Sequence, residues 1–338
     1  MNDREHLQAL LDKGGDVVFP AGEYTIDAPL FIGDNTRLHC TAATVLHLKT
    51  GAGCALLRNR VAPEKDCTSG FTVEGGVWDG NNSEGERGEA LMNFVYVKDF
   101  TLRDFTVTNP SAFCIMLTDS ERYTAENLTF LCNDRTLNED GIHVNGFSRD
   151  GYIHNIKGHT NDDMIALNAD EGAFLTTTCN DIENILIDGV FAGDNGWTGV
   201  RLLSRHARVS HVTIRNVYGA FKFNAVNITH WAHEPGDYGY FDDLVLENLH
   251  VRSCRKEGTG HGGLIWFQDD LAHIGNVVVS GVYRAEEADQ FNTTSLLEVG
   301  GNVHIRNLTL SGIFEQIPDE KPTVRIAPTA VIEHLFQK

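Results

Sequence analysis

The stretch Leu102-Arg103-Asp104-Phe105 carries the pattern that decides the fold: an apolar residue, any residue, then Asn, Asp or Gly, then a second apolar residue. The phrase returns along most of the chain, as Ala125-Glu126-Asn127-Leu128, Ile153-His154-Asn155-Ile156, Ile187-Asp188-Gly189-Val190, Ile214-Arg215-Asn216-Val217, Leu246-Glu247-Asn248-Leu249, Val279-Ser280-Gly281-Val282 and Leu310-Ser311-Gly312-Ile313. Its first residues are separated by 23, 28, 34, 27, 32, 33 and 31 residues. This irregular spacing argues against a helical repeat of fixed length.

The third position of the phrase predicts a sharp corner. It holds only Asn, Asp or Gly, the residues that best tolerate a left-handed backbone. The residues around it alternate between apolar and polar, which predicts half-buried strands. One corner per coil between short strands predicts an all-β fold, a single-stranded right-handed parallel β-helix. The sequence has no persistent 3.6-residue apolar stripe, which argues against a helical solenoid. It also has no series of amphipathic helices between the strands, which argues against a globular α/β fold.

The first residues predict a cap for this stack. Residues 1–15 are expected to form a short N-terminal capping helix, because Leu7, Leu10 and Leu11 share one helical face and Gly14-Gly15 ends it. Such a helix would cover the strand edge that the first coil exposes. Residues 16–338 then form the β-helix coils. Because no linker-like stretch interrupts them, we expect 1–338 to be a single domain.

Composition excludes several classes of partner. The 338 residues carry a net charge of −20, which argues against nucleic acid as a partner. No apolar run reaches the roughly 20 residues of a membrane span, so no membrane partner is expected. The polar start lacks a secretory signal, and the seven scattered cysteines contain no CxxC pair. We therefore expect a cytoplasmic protein, or a secreted one if a signal has been removed. The oligomeric state is not indicated.

Two segments, Asn138-Glu139-Asp140-Gly141 and Asn161-Asp162-Asp163, carry carboxylates on neighbouring coils. We use an alignment of these two segments that pairs their inward residues, Ile142 with Met164 and Val144 with Ala166. It stacks Asp140 under Asp162 and places Asp163 level with Gly141. Carboxylates this close would repel one another, an arrangement that suits a general acid beside a general base. Asn-Asp pairs are also common turn residues, which is the structural alternative.

These segments resemble two motifs of the polygalacturonase family of β-helical glycoside hydrolases, family 28, within the pectin-lyase-like superfamily. Residues 138–141 are similar to the family's Asn-Thr-Asp-Gly segment, and residues 162–164 to its Asp-Asp-Cys-like segment. The stretch from Gly14 to Thr36 also looks like the N-terminal coil of this superfamily. The resemblance implies hydrolysis with inversion, in which Asp162 protonates the glycosidic oxygen while Asp140 and Asp163 act as bases on a water.

The family's other two motifs match less well. Thr198 falls where the family has His. With Phe221 and Phe223 inward, Lys222 takes the family's Arg position and Asn224 its Lys position, so one of two substrate-binding cations becomes neutral. An outward Arg201 could restore the second charge. The expected substrate-binding residues are Asn138, His143, Trp197, Thr198, Arg201, Lys222 and Asn224, with Trp231 and Trp266 as further aromatic candidates.

The resulting expectation is a glycoside hydrolase that cleaves a plant-type or related oligosaccharide, acidic or neutral, without cofactor or metal. The insertion at residues 169–182 could close one end of a groove and favour exo action. His230, His233 and Glu234 are expected to belong to a loop wall rather than to a metal site. Two alternatives stay open. One is a β-helical polysaccharide lyase, with Ca²⁺ on the acidic cluster and Arg201 or Lys222 as the base. The other is a non-catalytic carbohydrate-binding β-helix.

Overall fold

The computed structural model describes residues 2–60, 67–170, 180–230, 237–254, 262–268, 271–284, 294–316 and 322–338. Within these ranges the chain forms one helix and 27 strands, and the described strand pairings are parallel. The chain divides into two compact units. The first comprises Met1–His143 and Ser148–Asp162, and the second comprises Val144–Phe147 and Asp163–Lys338.

Helix α1 (Asp3–Leu11) opens the first unit, in agreement with the predicted cap. It begins where it does because the Asn2 side chain accepts a hydrogen bond from the Glu5 amide at 2.8 Å. The Glu5 carboxylate in turn accepts one from the Asn2 amide at 3.2 Å. Leu7 and Leu11 are buried, and α1 contacts the first three strands. This is the only helix in the described residues. Among these residues, no helix has the length and apolar character that a membrane span requires.

The strands of the first unit are β1 (Asp16–Phe19), β2 (Gly22–Ile26), β3 (Leu30–Ile32), β4 (Arg37–Cys40), β5 (Thr44–Leu48), β6 (Leu57–Asn59), β7 (Thr68–Ser69), β8 (Thr72–Glu74), β9 (Val77–Asp79), β10 (Met92–Arg103), β11 (Thr106–Thr108), β12 (Ile115–Glu126), β13 (Thr129–Leu131) and β15 (Ser148–His159). Strand β14 (Ile142–Asn145) has its first two residues in this unit and its last two in the second.

The strands of the second unit are β16 (Asp163–Asn168), β17 (Ile182–Phe191), β18 (Thr198–Ser204), β19 (Arg208–Phe221), β20 (Val226–His230), β21 (Gly239–Ser253), β22 (Ile265–Phe267), β23 (Ala272–Arg284), β24 (Leu297–Val299), β25 (Val303–Glu315), β26 (Val324–Ile326) and β27 (Val331–Gln337).

Strand pairing follows the repeat read from the sequence. In the first unit Leu102 of β10 lies opposite Ala125 of β12, and Ala125 lies opposite Ile153 of β15. In the second unit one row runs from β17 to β25 through Ile187, Ile214, Leu246, Val279 and Leu310. These inward residues are almost fully buried and form the core. Connections between successive parallel strands are right-handed in nearly all proteins. The right-handed parallel β-helix is therefore confirmed as the fold class, while the single domain stays a prediction.

The predicted corners are present at all eight repeats. Asp104, Asn127 and Asn155 have φ between 52° and 59°, and the third position of each later repeat also has a positive φ. The corner side chains form hydrogen-bonded ladders between coils. Asn127 Nδ2 donates to Asp104 Oδ1 at 2.8 Å, and Asn155 Nδ2 donates to Asn127 Oδ1 at 2.6 Å. The ladder explains why Asn is used where Gly would satisfy the backbone alone.

One group of strands in the second unit is buried on both faces. Every residue of β16, β20 and β22 is buried, so their outward side chains are covered as well as their inward ones. Elsewhere buried residues alternate with more exposed ones, as in β23 and β25. Covered outward side chains that are polar are candidates for a functional site, because burying a polar group without a partner costs free energy.

Candidate active site

Two of the predicted carboxylates meet in the first unit. An oxygen of Asp140 and an oxygen of Asp162 lie within 4.8 Å of each other. Asp140 is buried and Asp162 is half-buried. Two negative charges at that distance repel by about 3 kcal/mol at an effective dielectric constant near 20. The pair therefore has the composition of an acid beside a base.

Asp140 is held by His143. The Nδ1 atom of His143 lies 2.6 Å from Oδ2 of Asp140, and the two side chains are only 2% and 3% exposed. The Phe113 ring stacks on the imidazole with 3.9 Å between ring centroids. His143 was expected on an open outward face, and the structure instead places it in a buried pair. The i,i+3 spacing of Asp140 and His143 was visible in the sequence, but Phe113 lies a coil away and gave no signal.

Asn138 supports the other carboxylate. Its Nδ2 donates to Oδ2 of Asp162 at 3.1 Å, while its Oδ1 accepts a hydrogen bond from Nη1 of Arg87 at 2.9 Å. Asn138 has φ 60°, a left-handed conformation that Asn adopts at low cost. The amide is therefore fixed at both ends, and it orients Asp162. Arg87 was missed by sequence reasoning because it is 51 residues from Asn138.

The neighbouring Glu139 has a structural role. Its fully buried carboxylate accepts hydrogen bonds from the amides of Asp134, Arg135 and Thr136, and from the Thr136 hydroxyl at 2.8 Å. Four hydrogen bonds use the acceptor capacity of a carboxylate. Glu139 therefore fixes the loop before Asp140 and is not available to a substrate.

The third predicted carboxylate lies in the second unit, one residue after Asp162. Asp163 begins β16, and its Oδ2 lies 3.3 Å from Nη1 of Arg201, with exposures of 3% and 12%. Thr198 is buried and lies directly opposite Asp163 in the strand pairing. Arg201 was expected to supply a second positive charge for the substrate, but Asp163 balances it.

The strand register corrects the predicted orientation of β16. Ala166 lies opposite the outward Arg201, whereas Ile165 and Leu167 lie opposite the fully buried Val200 and Leu202. The inward residues of β16 are therefore Ile165 and Leu167, and the expected inward pair, Met164 and Ala166, is wrong by one position. All residues of this strand are apolar after Asp163 until Asn168, so hydrophobicity alone could not decide its orientation.

The predicted positions of Lys222 and Asn224 are also corrected. Both lie in the turn between β19 and β20 rather than on a strand with alternating faces. Asn224 is fully buried and donates from Nδ2 to the carbonyl of Gly263 at 2.6 Å, while Phe223 is half-buried rather than inward. The turn between β19 and β20 breaks the alternation on which the expectation depended.

Lys222 and Trp197 lie together in the second unit. The Lys222 Nζ is 5.9 Å from the centroid of the Trp197 ring, a cation–π distance. The Phe223 ring stacks near the Trp197 ring, with 6.4 Å between the ring centroids. It meets the Trp266 ring edge-on, with 6.2 Å between the centroids. Trp197 is 39% exposed and can contact a ligand. Trp231, His233 and Glu234 lie outside the described residues, as does most of the 169–182 insertion.

One family model matches part of the chain. Residues 67–196 match the model of the family described as glycosyl hydrolases family 28. An exopolygalacturonase of Platanus acerifolia is 26% identical over 172 residues, which cover 49% of this chain and 42% of that protein. The chain thus spans less than half the length of this curated relative.

Solved structures support the fold. A family 28 exopolygalacturonase of Yersinia enterocolitica matches with a TM-score of 0.61 at 17% identity, covering 100% of this chain and 76% of that one. A surface protein and adhesin of Streptococcus pneumoniae matches with a TM-score of 0.63 at 15% identity, covering 100% and 96%. At such identities these likenesses concern the fold alone. The matched family segment contains both acidic motifs and Asn138, so over residues 67–196 the chain is similar to family 28, and its fold is the right-handed β-helix.

Proposed function

We propose that this chain is a glycoside hydrolase that acts on pectin-type oligosaccharides. The observation that carries the proposal is the pair of Asp140 and Asp162, one buried and the other half-buried, whose oxygens lie within 4.8 Å of each other inside the segment that matches family 28. Each carboxylate has its own orienting partner, His143 for Asp140 and Asn138 for Asp162. Two differently supported carboxyls are what acid–base cleavage of a glycosidic bond requires.

In the proposed mechanism Asp162 is the general acid. It is the more exposed of the two carboxyls in the first unit, so it can reach a glycosidic oxygen. Asp140 is the proposed base that takes a proton from the attacking water, and the product is released with inversion. The oxygens of Asp140 and Asp162 lie within 4.8 Å of each other. Inverting pairs are usually separated by about 6.5–9.5 Å, so the anomeric configuration of the product is the decisive measurement of this step.

The proposed substrate contacts lie in the second unit. Trp197 offers an exposed aromatic face to a sugar ring, and Lys222 above it can meet an acidic group. Thr198 is proposed to position a water or hydroxyl near Asp163, to which it is opposite in the pairing. The proposal includes exo action on short oligosaccharides, which the length distribution of early products would reveal.

Release of reducing sugar from pectic oligosaccharides tests the proposal. Asp162→Asn should abolish turnover, because an amide cannot protonate the leaving oxygen. Asp104→Asn is the matched control, since it removes an exposed carboxylate from a left-handed corner of the same unit and should retain activity. Equal activity of wild type and Asp162→Asn would refute the hydrolase proposal.

The polysaccharide lyase is the second candidate, because Asp140 and Asp162 are close enough to share a cation. Its proposed base would be Arg201 or Lys222. Arg201 is paired with Asp163, which disfavours it as a proton acceptor. Cleavage that EDTA abolishes, with a product absorbing in the ultraviolet, would identify the lyase. Hydrolysis that resists EDTA supports the leading proposal.

A further inference from the structure

A row of outward side chains crosses strands β18, β20, β22 and β24 of the second unit. Arg201 of β18 lies opposite Asn227 of β20, Asn227 lies opposite Trp266 of β22, and Trp266 lies opposite Glu298 of β24. The flanking Val200, Val226, Ile265 and Leu297 are fully buried and face the core. The row therefore lies on the outward side of the strands, with about 4.8 Å between its members.

The two central residues of this row, Asn227 and Trp266, each bury one polar atom that has no hydrogen-bond partner in the part of the chain that the structure describes. Oδ1 of Asn227 and Nε1 of Trp266 have none among the described residues, although the two residues are only 3% and 8% exposed. One is an acceptor and the other a donor, and they lie on adjacent strands. Nearly all buried polar groups in proteins are hydrogen-bonded, so an unmatched donor and acceptor side by side need an explanation, and a bound hydroxyl group would satisfy both.

The Trp266 ring is not a stacking platform. A Cβ atom on Gly262 would fall 2.2 Å from the indole Cδ2, so the Gly262 backbone covers one face of the ring. Phe223 meets it at an interplanar angle of 78°. What Trp266 offers to the row is therefore its N–H group.

The charges along the row cancel. Arg201 is paired with Asp163 at 3.3 Å, and Glu298 is paired with Arg325 at 3.0 Å. Asn227, between the two pairs, is neutral. Lys222 lies off the row, in the turn before β20. A sugar carboxylate placed on Asn227 and Trp266 would meet no unbalanced cation, whereas sugar hydroxyls match both an amide oxygen and an indole N–H.

We propose that Arg201, Asn227 and Trp266 form a subsite that selects a neutral sugar residue of the oligosaccharide. The proposal rests on the proposed function for its class of ligand, and it assigns Asn227 as the residue that sets specificity. A lysine at this position would supply the missing cation and change the preference from neutral to acidic sugar.

Calorimetric binding of two matched trisaccharides tests this proposal. One is trigalacturonate and the other is the same compound with its carboxyl groups reduced to alcohols. Measured in the Asp162→Asn background, binding is independent of turnover. We expect the reduced trisaccharide to bind more tightly. Asn227→Leu should raise its Kd about tenfold, and Asn227→Lys should tighten trigalacturonate binding about tenfold or more. Ser280→Lys, on β23, is the control that adds the same charge elsewhere, and it should change neither Kd.

Thermal unfolding of the same variants separates a ligand site from a structural one. Because Asn227 Oδ1 has no described partner to lose, Asn227→Leu should leave Tm unchanged or raise it. A lower Tm with both Kd values unchanged would overturn the proposal, as would tighter binding of trigalacturonate by the parent protein or no binding of the reduced trisaccharide. The proposed function fails separately, if the wild type shows no turnover that depends on Asp162.

Discussion

Replacement of His143 by Leu is the sharpest test of how the first unit supports hydrolysis. Nδ1 of His143 lies 2.6 Å from Oδ2 of Asp140. The other oxygen of Asp140, Oδ1, has no hydrogen-bond partner among the described residues. Leu would therefore leave a buried carboxylate without the hydrogen bond that orients it. We expect His143 to act as a positioning residue for Asp140.

The size of the effect follows from this single contact. A hydrogen bond to a charged group contributes about 1.5–3 kcal/mol. If the loss is felt in the transition state, kcat should fall between about tenfold and 150-fold, since about 1.4 kcal/mol corresponds to a factor of ten. KM should change little, because the His143 side chain is only 2% exposed and is not placed to touch the substrate.

The assay is kcat and KM for reducing-sugar release by wild type, His143→Leu and His143→Asn. Asn can place an N–H donor near the position of Nδ1, so it should restore much of kcat, whereas Leu should not. Phe113→Leu is the control, because it removes the ring that stacks on the imidazole but leaves the donor. A His143→Leu variant with unchanged kcat, or an Asn variant no better than Leu, would refute the reasoning.

Three further predictions concern stability and reactivity. Glu139→Gln should lower the free energy of unfolding by about 2–3 kcal/mol, because an amide nitrogen would face backbone N–H donors; an unchanged denaturant midpoint would contradict this. The Arg103 guanidinium holds the pKa of Glu74 below 4.5, so this pair stabilises the fold above that pH and the contribution is lost as the pH falls through the lower folded-state pKa. Arg103→Leu should therefore cost at most about 1 kcal/mol at pH 7 and nothing near pH 2, and a cost that persists in acid would argue against the pair. Burial raises the pKa of the Cys40 thiol to about 12, so at pH 8 a thiol reagent should modify the half-buried Cys54 in native protein and Cys40 only after unfolding. Equal labelling rates by mass spectrometry would contradict this order.

The sequence identified the two acidic segments, but it could not give their supports. Asp140 and Asp162 were predictable because two Asn-Asp motifs recur on successive coils. Arg87 and Phe113 were not, because each reaches the site from another coil and their distance along the chain has no periodic signal. The orientation of β16 failed for a different reason. The strand is apolar on both faces, so the usual alternation between core and solvent was absent.

What the sequence determined by itself is the repeat. Asn, Asp or Gly at each corner favours a left-handed residue, and this local preference, repeated eight times, is enough to predict a parallel β-helix. The tertiary structure alone decided which side chains meet across coils. It paired His143 with Asp140, neutralised Arg201 with Asp163 and set Asn227 beside Trp266. The physical reason is that turns such as the one before β20 change length from coil to coil. The register of each strand is therefore set by its packing on neighbouring strands and not by a local sequence pattern.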